Sequence, residues 1–370
     1  MKIKIKKSLL MEQLNKVSKA LSAKNLVPAL AGIKFDLKKD GLTLTASDND
    51  ITIETFIPKN DDMIIEETGS IIIYGKYILD IVRKLEDESI NIEVFDESKI
   101  IISTANSEYN LNGINKSEYP NIKLEESKSP VILNSEFKKM IGQTAFVTSQ
   151  DESRPQLTGI NFKILKDEME CNATDSYRLA RKVIKLQQET DETYNIIVPS
   201  KNLIELSKIM DDETIELHIF NNKILFKSGN VLFQSRLING SYPNTSNLLP
   251  KDSLLKVTVN INDFYNVIDR VSILTSDKEK NIVNLETKGN ELIMRSNSVE
   301  IGRVEEKMAI TKDNDKEINI SFSAKYMMEA LKTFEGEIAT INFVGEVNPI
   351  IIKDDKEDNL IQLVLPIRTY

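Results

Sequence analysis

The 370 residues include one cysteine and one histidine. A single cysteine, Cys171, excludes an internal disulfide and suits a reducing compartment. It lies in a strand-like stretch with no histidine nearby to activate a thiolate, so it reads as a structural thiol. The histidine, His218, sits in Glu216-Leu-His-Ile-Phe220, an apolar-alternating stretch with no partner motif, and reads as an ordinary strand residue. Metal sites draw on clusters of His or Cys, which this composition lacks. No glycine-rich phosphate loop and no nucleophile elbow is present. No apolar run approaches the roughly 20 residues a membrane span needs. The first seven residues alternate Lys with Ile, read as an edge strand, and lack the apolar core of a signal peptide. Catalytic residues, metal and cofactor are therefore expected to be absent, and the expected location is the cytoplasm. The net charge of −9 argues against a surface that grips nucleic acid all round, though a local basic face is compatible with it.

What the chain does have is repetition. Pro28-Ala-Leu-Ala-Gly-Ile-Lys-Phe35 aligns with Pro155-Gln-Leu-Thr-Gly-Ile-Asn-Phe162, five identities at one offset of 127 residues. The register carries on, so that Ala46-Ser47-Asp48 meets Ala173-Thr174-Asp175. A fainter third copy sets Ile33 and Phe35 against Val283 and Leu285. A third of the chain is about 123 residues, close to the commonest domain size. Fixed-period similarity of this kind outranks any local motif in assigning a fold. Three domains are expected, at 1–125, 126–250 and 251–370, with seams at 117–130 and 241–253. Both seams open with Tyr-Pro-Asn, where Pro forbids regular helix and Asn favours a turn.

Each third is expected to hold two one-sided helices and several alternating strands. First helices fall at 9–21, 135–148 and 261–274. In the last, Phe264, Val267, Ile268 and Val271 form one apolar stripe, and Asn260 stands where an N-cap would. Second helices begin at Gly75-Lys76, Ser200-Lys201 and Ala324-Lys325, each after an Ile/Val-rich strand. Asn221-Asn222 reads as a hairpin turn. The fold class is α+β, three tandem copies of a domain built as a sheet with two helices on one face.

Three features exceed ordinary packing. Lys76, Lys201 and Lys325 recur in register, and one basic face would separate attraction to phosphates from the acidic remainder. Ala173-Thr-Asp-Ser-Tyr-Arg-Leu-Ala180 carries a Tyr-Arg-Leu that its copy in the first repeat lacks. That implies asymmetric use of the copies; the plainer alternative is a strand leading into a turn, with Tyr177 and Leu179 packed inward. Past a strand breaker, Ile367 and Tyr370 of Leu363-Val-Leu-Pro-Ile-Arg-Thr-Tyr370 suggest a docking surface.

On the triplication, the 173–180 motif, Ser241-Tyr-Pro-Asn244 with Leu248-Leu249-Pro250, and Leu365-Pro-Ile-Arg368, the chain resembles the bacterial beta sliding clamps over its whole length. These are the processivity subunits of the replicative DNA polymerase III. The resemblance implies a head-to-tail homodimer, a six-domain ring with helices inside and sheets outside, threaded by duplex DNA without sequence preference. It implies a groove that takes short peptides carrying Gln and paired apolar residues. These come from the polymerase catalytic subunit, the clamp loader, and other polymerases and repair proteins. By position, the groove would comprise Leu157, Thr174, Ser176, Tyr177, Arg178, Leu179, Pro243, Leu248, Leu363, Val364, Leu365, Pro366, Ile367 and Arg368. DNA-facing residues would be Lys24, Gln150, Arg154 and Lys201. Tyr109 and Leu111 would meet Ile273 and Leu274 across the dimer interface. The rival readings are a triplicated scaffold that never encircles DNA and an enzyme using carboxylates between domains. The second requires paired acids in apolar surroundings, which the sequence does not offer.

Overall fold

The computed structural model describes residues 1–22, 27–210, 214–250, 252–275, 281–298 and 300–368. Six α-helices occur among them: α1 (Lys7–Val17), α2 (Gly75–Lys84), α3 (Glu136–Thr144), α4 (Ser200–Ser207), α5 (Ile261–Ser272) and α6 (Ala324–Leu331). They fall two to a repeat, as the periodicity predicts. Each buries one stripe. In α5 the stripe is Ile261, Phe264, Val267, Ile268 and Val271, and the Asn260 side chain accepts from the Asp263 N–H at 3.1 Å, closing the first turn.

The strands form two compact units. The first, 1–135 with 205–237, holds two antiparallel sheets. One has five strands in the order Met63–Glu67, Lys2–Lys6, Ser89–Phe95, Lys99–Ser103, Glu108–Asn112. The other has eight, from Val131–Leu133 through Ile215–Ile219, Lys223–Ser228, Val231–Arg236, Ile51–Pro58, Gly41–Ser47 and Gly32–Lys38 to Gly69–Tyr74. The second unit, 136–204 with 238–370, holds a nine-stranded and a four-stranded sheet. The nine-stranded order is Tyr194–Pro199, Gly159–Ile164, Glu168–Thr174, Arg178–Lys185, Glu357–Val364, Ile350–Asp354, Ile338–Phe343, Leu255–Asn260, Thr311–Lys312. The four-stranded sheet runs Gly302–Ala309, Glu291–Ser298, Ile282–Lys288, Asn319–Ser323.

Two expectations are corrected here. The repeats do not each own one sheet. Strands of the middle third join the eight-stranded sheet where Val231–Arg236 pairs with Ile51–Pro58, and the nine-stranded sheet where Arg178–Lys185 pairs with Glu357–Val364. Alternation reveals which face of a strand is buried, not which strand lies beside it. For the same reason Lys2–Lys6 is not an edge strand. It lies between Met63–Glu67 and Ser89–Phe95, with Ile3 and Ile5 buried, and Lys2 pairs with Glu66 and Glu93 on the opposite face.

The repeated Pro-x-Leu-x-Gly motif has a steric origin. A Cβ on Gly32 would lie 2.4 Å from Ile72 Cγ2, and one on Gly159 would lie 2.6 Å from Ile197 Cγ2 and 2.7 Å from the Val198 carbonyl. Both glycines let the neighbouring strand close on the turn before them. The seam tyrosine of the first repeat completes this corner: Tyr119 packs with Ala29, Leu30, Ile72 and Ile114.

His218 belongs to the first unit, and its surroundings could not be foreseen. Glu126, Glu216 and His218 converge, with one ligand atom from each within 4.8 Å of the others. The cluster is an ion-pair cage rather than a ligand set. His218 Nδ1 accepts from the Ser127 N–H at 2.9 Å, which places the imidazole proton on Nε2, 3.5 Å from Glu216. Lys227 already supplies the cation, 2.7 Å from Glu126 and 3.8 Å from Glu216. Burial drives the His218 pKa below its usual value and Lys227 adds to this, against the opposing pull of Glu126 and Glu216. The unfolded chain therefore takes up this proton near pH 6.5, before the folded one does. The contribution to stability is complete above that pH and is lost as pH falls. Thermal melts should show the native protein losing more Tm between pH 7.5 and 5.5 than His218→Gln; equal losses would assign the acid sensitivity to other groups.

Candidate partner-binding groove and basic helix starts

A tight turn positions the most distinctive motif. Thr174 Oγ1 donates to the Arg178 carbonyl at 2.6 Å, and Asp175 Oδ1 accepts from the N–H groups of Tyr177 (2.9 Å) and Arg178 (3.1 Å). Ser176 adopts φ 78°. The first repeat builds the same turn. Ser47 Oγ donates to the Ile51 carbonyl, Asp48 Oδ1 accepts from the N–H groups of Asp50 and Ile51, and Asn49 also has φ 78°. The shared Ser/Thr-Asp is thus a folding device. The difference lies in what the turn presents. Tyr177 is 62% exposed, which rules out the plainer alternative in which it packs inward. It occupies the tip of the turn, where the strand period no longer applies.

Arg178 crosses to the helix side of the sheet. Its guanidinium is ion-paired to Asp175 at 3.0 Å and to Glu329 of α6, donates to the Phe146 carbonyl at 2.9 Å, and lies over the rings of Phe146 and Tyr326. Val364, its cross-strand partner, is packed in the core of the third repeat. Period-two alternation sends both side chains away from the face that Leu179 and Leu363 share. Arg178 and Val364 are therefore corrected from groove walls to supports behind the groove.

On the outer face Leu179 and Leu363 are cross-strand neighbours and form one apolar cluster with Ile351, against which Leu249, Ile361 and Leu365 pack. Ile351 and Ile361 escaped the sequence reading because they become neighbours only through strand pairing, while Leu249, although part of the Leu248-Leu249-Pro250 motif, was not assigned to the groove. The C-terminal segment is tied in place. Leu365 N–H donates to the Tyr177 carbonyl at 2.9 Å and Ile367 N–H to the Ser321 carbonyl at 2.7 Å. Pro366 is half-buried and Arg368 exposed. Leu157 and Thr174 are buried, while Pro243 and Leu248 are exposed on the segment that leads to Leu249. Arg154 stands beside the turn, its Nη1 3.5 Å from Ser176 Oγ, and Gln150 is exposed. Lys24 lies outside the described residues, as do Thr369 and Tyr370.

Behind the groove, the helix side carries a buried charge network. Lys182 is 1% exposed and its ammonium meets Glu357 at 2.5 Å and Asn359 at 2.8 Å. Lys139 of α3 reaches both Glu357 and Glu335 at 2.9 Å, and Gln143 Nε2 donates to Glu357 and to the Thr333 carbonyl. Burial pushes Glu357 up, but Lys182, Lys139 and Gln143 outweigh it and hold its carboxyl below the usual value. The network fixes the middle repeat to the third at the strand pair that carries Leu179 and Leu363.

Lys76, Lys201 and Lys325 are each the second residue of their helix, and all three are exposed. No helix among the described residues is long and apolar enough to cross a membrane.

Comparison with known proteins agrees with this geometry. Three family models match in tandem: the DNA polymerase III beta subunit N-terminal domain at 1–123, its central domain at 131–244 and its C-terminal domain at 246–368. The chain belongs to the DNA polymerase III beta subunit family and is built of three tandem clamp domains. It is 42% identical, over 100% of both chains, to the Beta sliding clamp of Bacillus subtilis, and 39% identical over 100% of both to that of Staphylococcus epidermidis. The crystal structure of the DNA polymerase sliding clamp from Bacillus subtilis superposes with a TM-score of 0.96 at 40% identity, again over 100% of both chains.

Proposed function

We propose that two copies of this chain close head to tail into a six-domain ring around duplex DNA, and that the ring tethers the replicative polymerase and other replication and repair proteins through one groove per subunit. The domains are taken as 1–125, 126–250 and 251–370. The protein acts without catalysis, in the cytoplasm, by raising the local concentration of polymerase at the primer end.

The observation that carries this reading is the placement of Lys76, Lys201 and Lys325. A cation in the first turn sits at the positive end of the helix dipole, a disfavoured position. Three such placements in register are accounted for when each ammonium faces a phosphate. Contacts of that kind read no sequence and exchange quickly, so the ring can slide. Lys24, Gln150 and Arg154 are proposed to add to the DNA-facing set.

Closure is proposed to use two strand edges that have no partner among the described residues. Glu108–Asn112 and Gly302–Ala309 each end a sheet. The first carries Tyr109 and Leu111. Against the second packs α5, followed by Ile273, which is 72% exposed, and Leu274. A long open edge invites another strand, and pairing the first edge of one copy with the second of another makes a heterologous contact that closes by rotation. The groove comprises the Leu179–Leu363–Leu365 floor with Leu157, Thr174, Ser176, Tyr177, Pro243, Leu248, Pro366, Ile367 and Arg368 around it.

The triple substitution K76A/K201A/K325A tests the phosphate contacts. Each lost contact lowers the salt slope of duplex binding by about 0.9, so a dimer losing up to six contacts should drop by about three to five while its mass in solution stays that of a dimer. An unchanged slope would put DNA elsewhere on the surface.

A further inference from the structure

The apolar groove floor continues into a polar cleft for which the groove has no use so far. Cross-strand register sets out the row. Leu179 pairs with Leu363, Leu363 with Ile351, Ile351 with Asn342 and Asn342 with Lys256. Partners in register present their side chains on the same face, so Asn342 and Lys256 extend the face of the groove beyond Ile351. Lys353 lies two residues along the Ile351 strand and shares that face. Here a cleft of about 380 Å3 opens, with Pro250, Ile351, Lys256 and Lys353 in its lining. Ile351 belongs to both the cleft and the apolar cluster, and Pro250 follows Leu249 of that cluster directly.

The charges of the cleft are unevenly committed. Lys256 and Lys353 are exposed, and neither forms an ion pair among the described residues, in contrast to Lys139, Lys182 and Lys227. Two carboxylates also border the cleft. Asp313 Oδ1 accepts from the Lys256 N–H and from Asn314 Nδ2, both at 2.9 Å, which ties it to the backbone, while Asp252 is exposed at the outer lip.

We infer that this cleft is a second subsite of the partner groove, and that Lys256 and Lys353 recognise an acidic side chain flanking the apolar anchor of the same partner peptide. The inference rests on the groove reading above and adds the partner's charge to it. Three strand spacings separate Leu363 from Lys256, about 14 Å. An extended peptide covers that in about four residues, and Lys353 shortens the reach. Two exposed ion pairs are worth a modest gain each, so the acid supplies selectivity while the apolar anchor supplies most of the affinity.

Fluorescence anisotropy on the full-length protein tests this with matched peptides. All carry Gln and paired apolar anchor residues; one pair has two Asp residues, on the N-terminal or the C-terminal side, about four residues from the anchor, and the other has Asn at the same places. In low salt one Asp peptide should bind about three- to tenfold tighter than its Asn counterpart. The advantage should vanish in K256Q/K353Q and shrink in high salt, while affinity for the Asn peptides stays the same in that variant. Equal binding of Asp and Asn peptides on both sides overturns the subsite alone and leaves the groove standing. Binding of no peptide at all overturns the groove and the subsite with it. An Asp advantage that persists in K256Q/K353Q also overturns the inference, since some other cation must then be responsible.

Discussion

Removing residues 365–370 should abolish stimulation of the polymerase and leave the protein a dimer of native stability. The described part of that segment, 365–368, has few duties in the fold. The strand Glu357–Val364 stays whole, and Val364 remains in the core of the third repeat. The Lys182–Glu357 network is untouched. What disappears is Leu365 from the edge of the Leu179–Ile351–Leu363 cluster, together with the two backbone bonds that tie the segment to Tyr177 and Ser321. A partner's apolar anchor would then meet an open, wet surface instead of a walled groove. Interface energy is concentrated in a few desolvated contacts of this kind, and a loss of about 3 kcal/mol, roughly 150-fold in affinity, is reasonable for such an anchor. Leu365→Asp should do the same without shortening the chain, by placing a carboxylate against the groove floor. The measurements are primer extension with the loaded protein and mass in solution. Loss of the dimer with the truncation would refute the placement of the groove.

The architecture was legible because the chain states it more than once. Pro28–Phe35 against 155–162 fixed the repeat, and the helix starts at 75, 200 and 324 fixed its internal layout. Of the proposed groove, Leu179, Leu363 and Leu365 were named from their motifs, and the structure brings them into one apolar cluster. The faces of Arg178 and Val364 were open to the same reading, since each sits one residue from a groove leucine in an alternating strand. A strict count by two would have turned both away. Other features lay beyond any local pattern. Strand 2–6 alternates as an edge strand would, and only its two neighbours show it to be interior. Ile351 reaches Leu363 through pairing, not proximity in sequence. The Glu126–Glu216–His218–Lys227 cage and the Lys139–Lys182–Glu357 network join residues far apart along the chain. Their charges, taken singly, look like ordinary solvated surface. The turn at 174–178 was legible in part. Ala46-Ser47-Asp48 already matched Ala173-Thr174-Asp175 and left Tyr-Arg-Leu as the addition, and the bonds shared by the two repeats give the reason the Ser/Thr-Asp recurs.

The largest effect concerns retention on DNA. The chain carries a net charge of −9, and its proposed phosphate contacts are few and exposed. Electrostatics of that size gives weak, salt-sensitive attraction. It cannot by itself hold a protein on DNA through a round of synthesis, and tight contacts would impede movement. A closed ring removes the conflict, because release then requires an interface to open or an end to be reached. Two of the sheet edges, Glu108–Asn112 and Gly302–Ala309, are the proposed means of closure. On this account, binding and residence are separate properties. Residence should be insensitive to salt that abolishes binding to short linear duplex, as long as the circle is intact and the interface holds.

The decisive measurement is residence time on one DNA molecule before and after it is cut. Protein loaded on a nicked circle is freed of unbound material by gel filtration, and the circle is then linearised at a single site. The ring account predicts stable co-elution with the circle and release within minutes of linearisation, as the protein slides off the ends. Retention on the linear product at the same level as on the circle would mean that the protein holds DNA by surface contact, and would contradict the account.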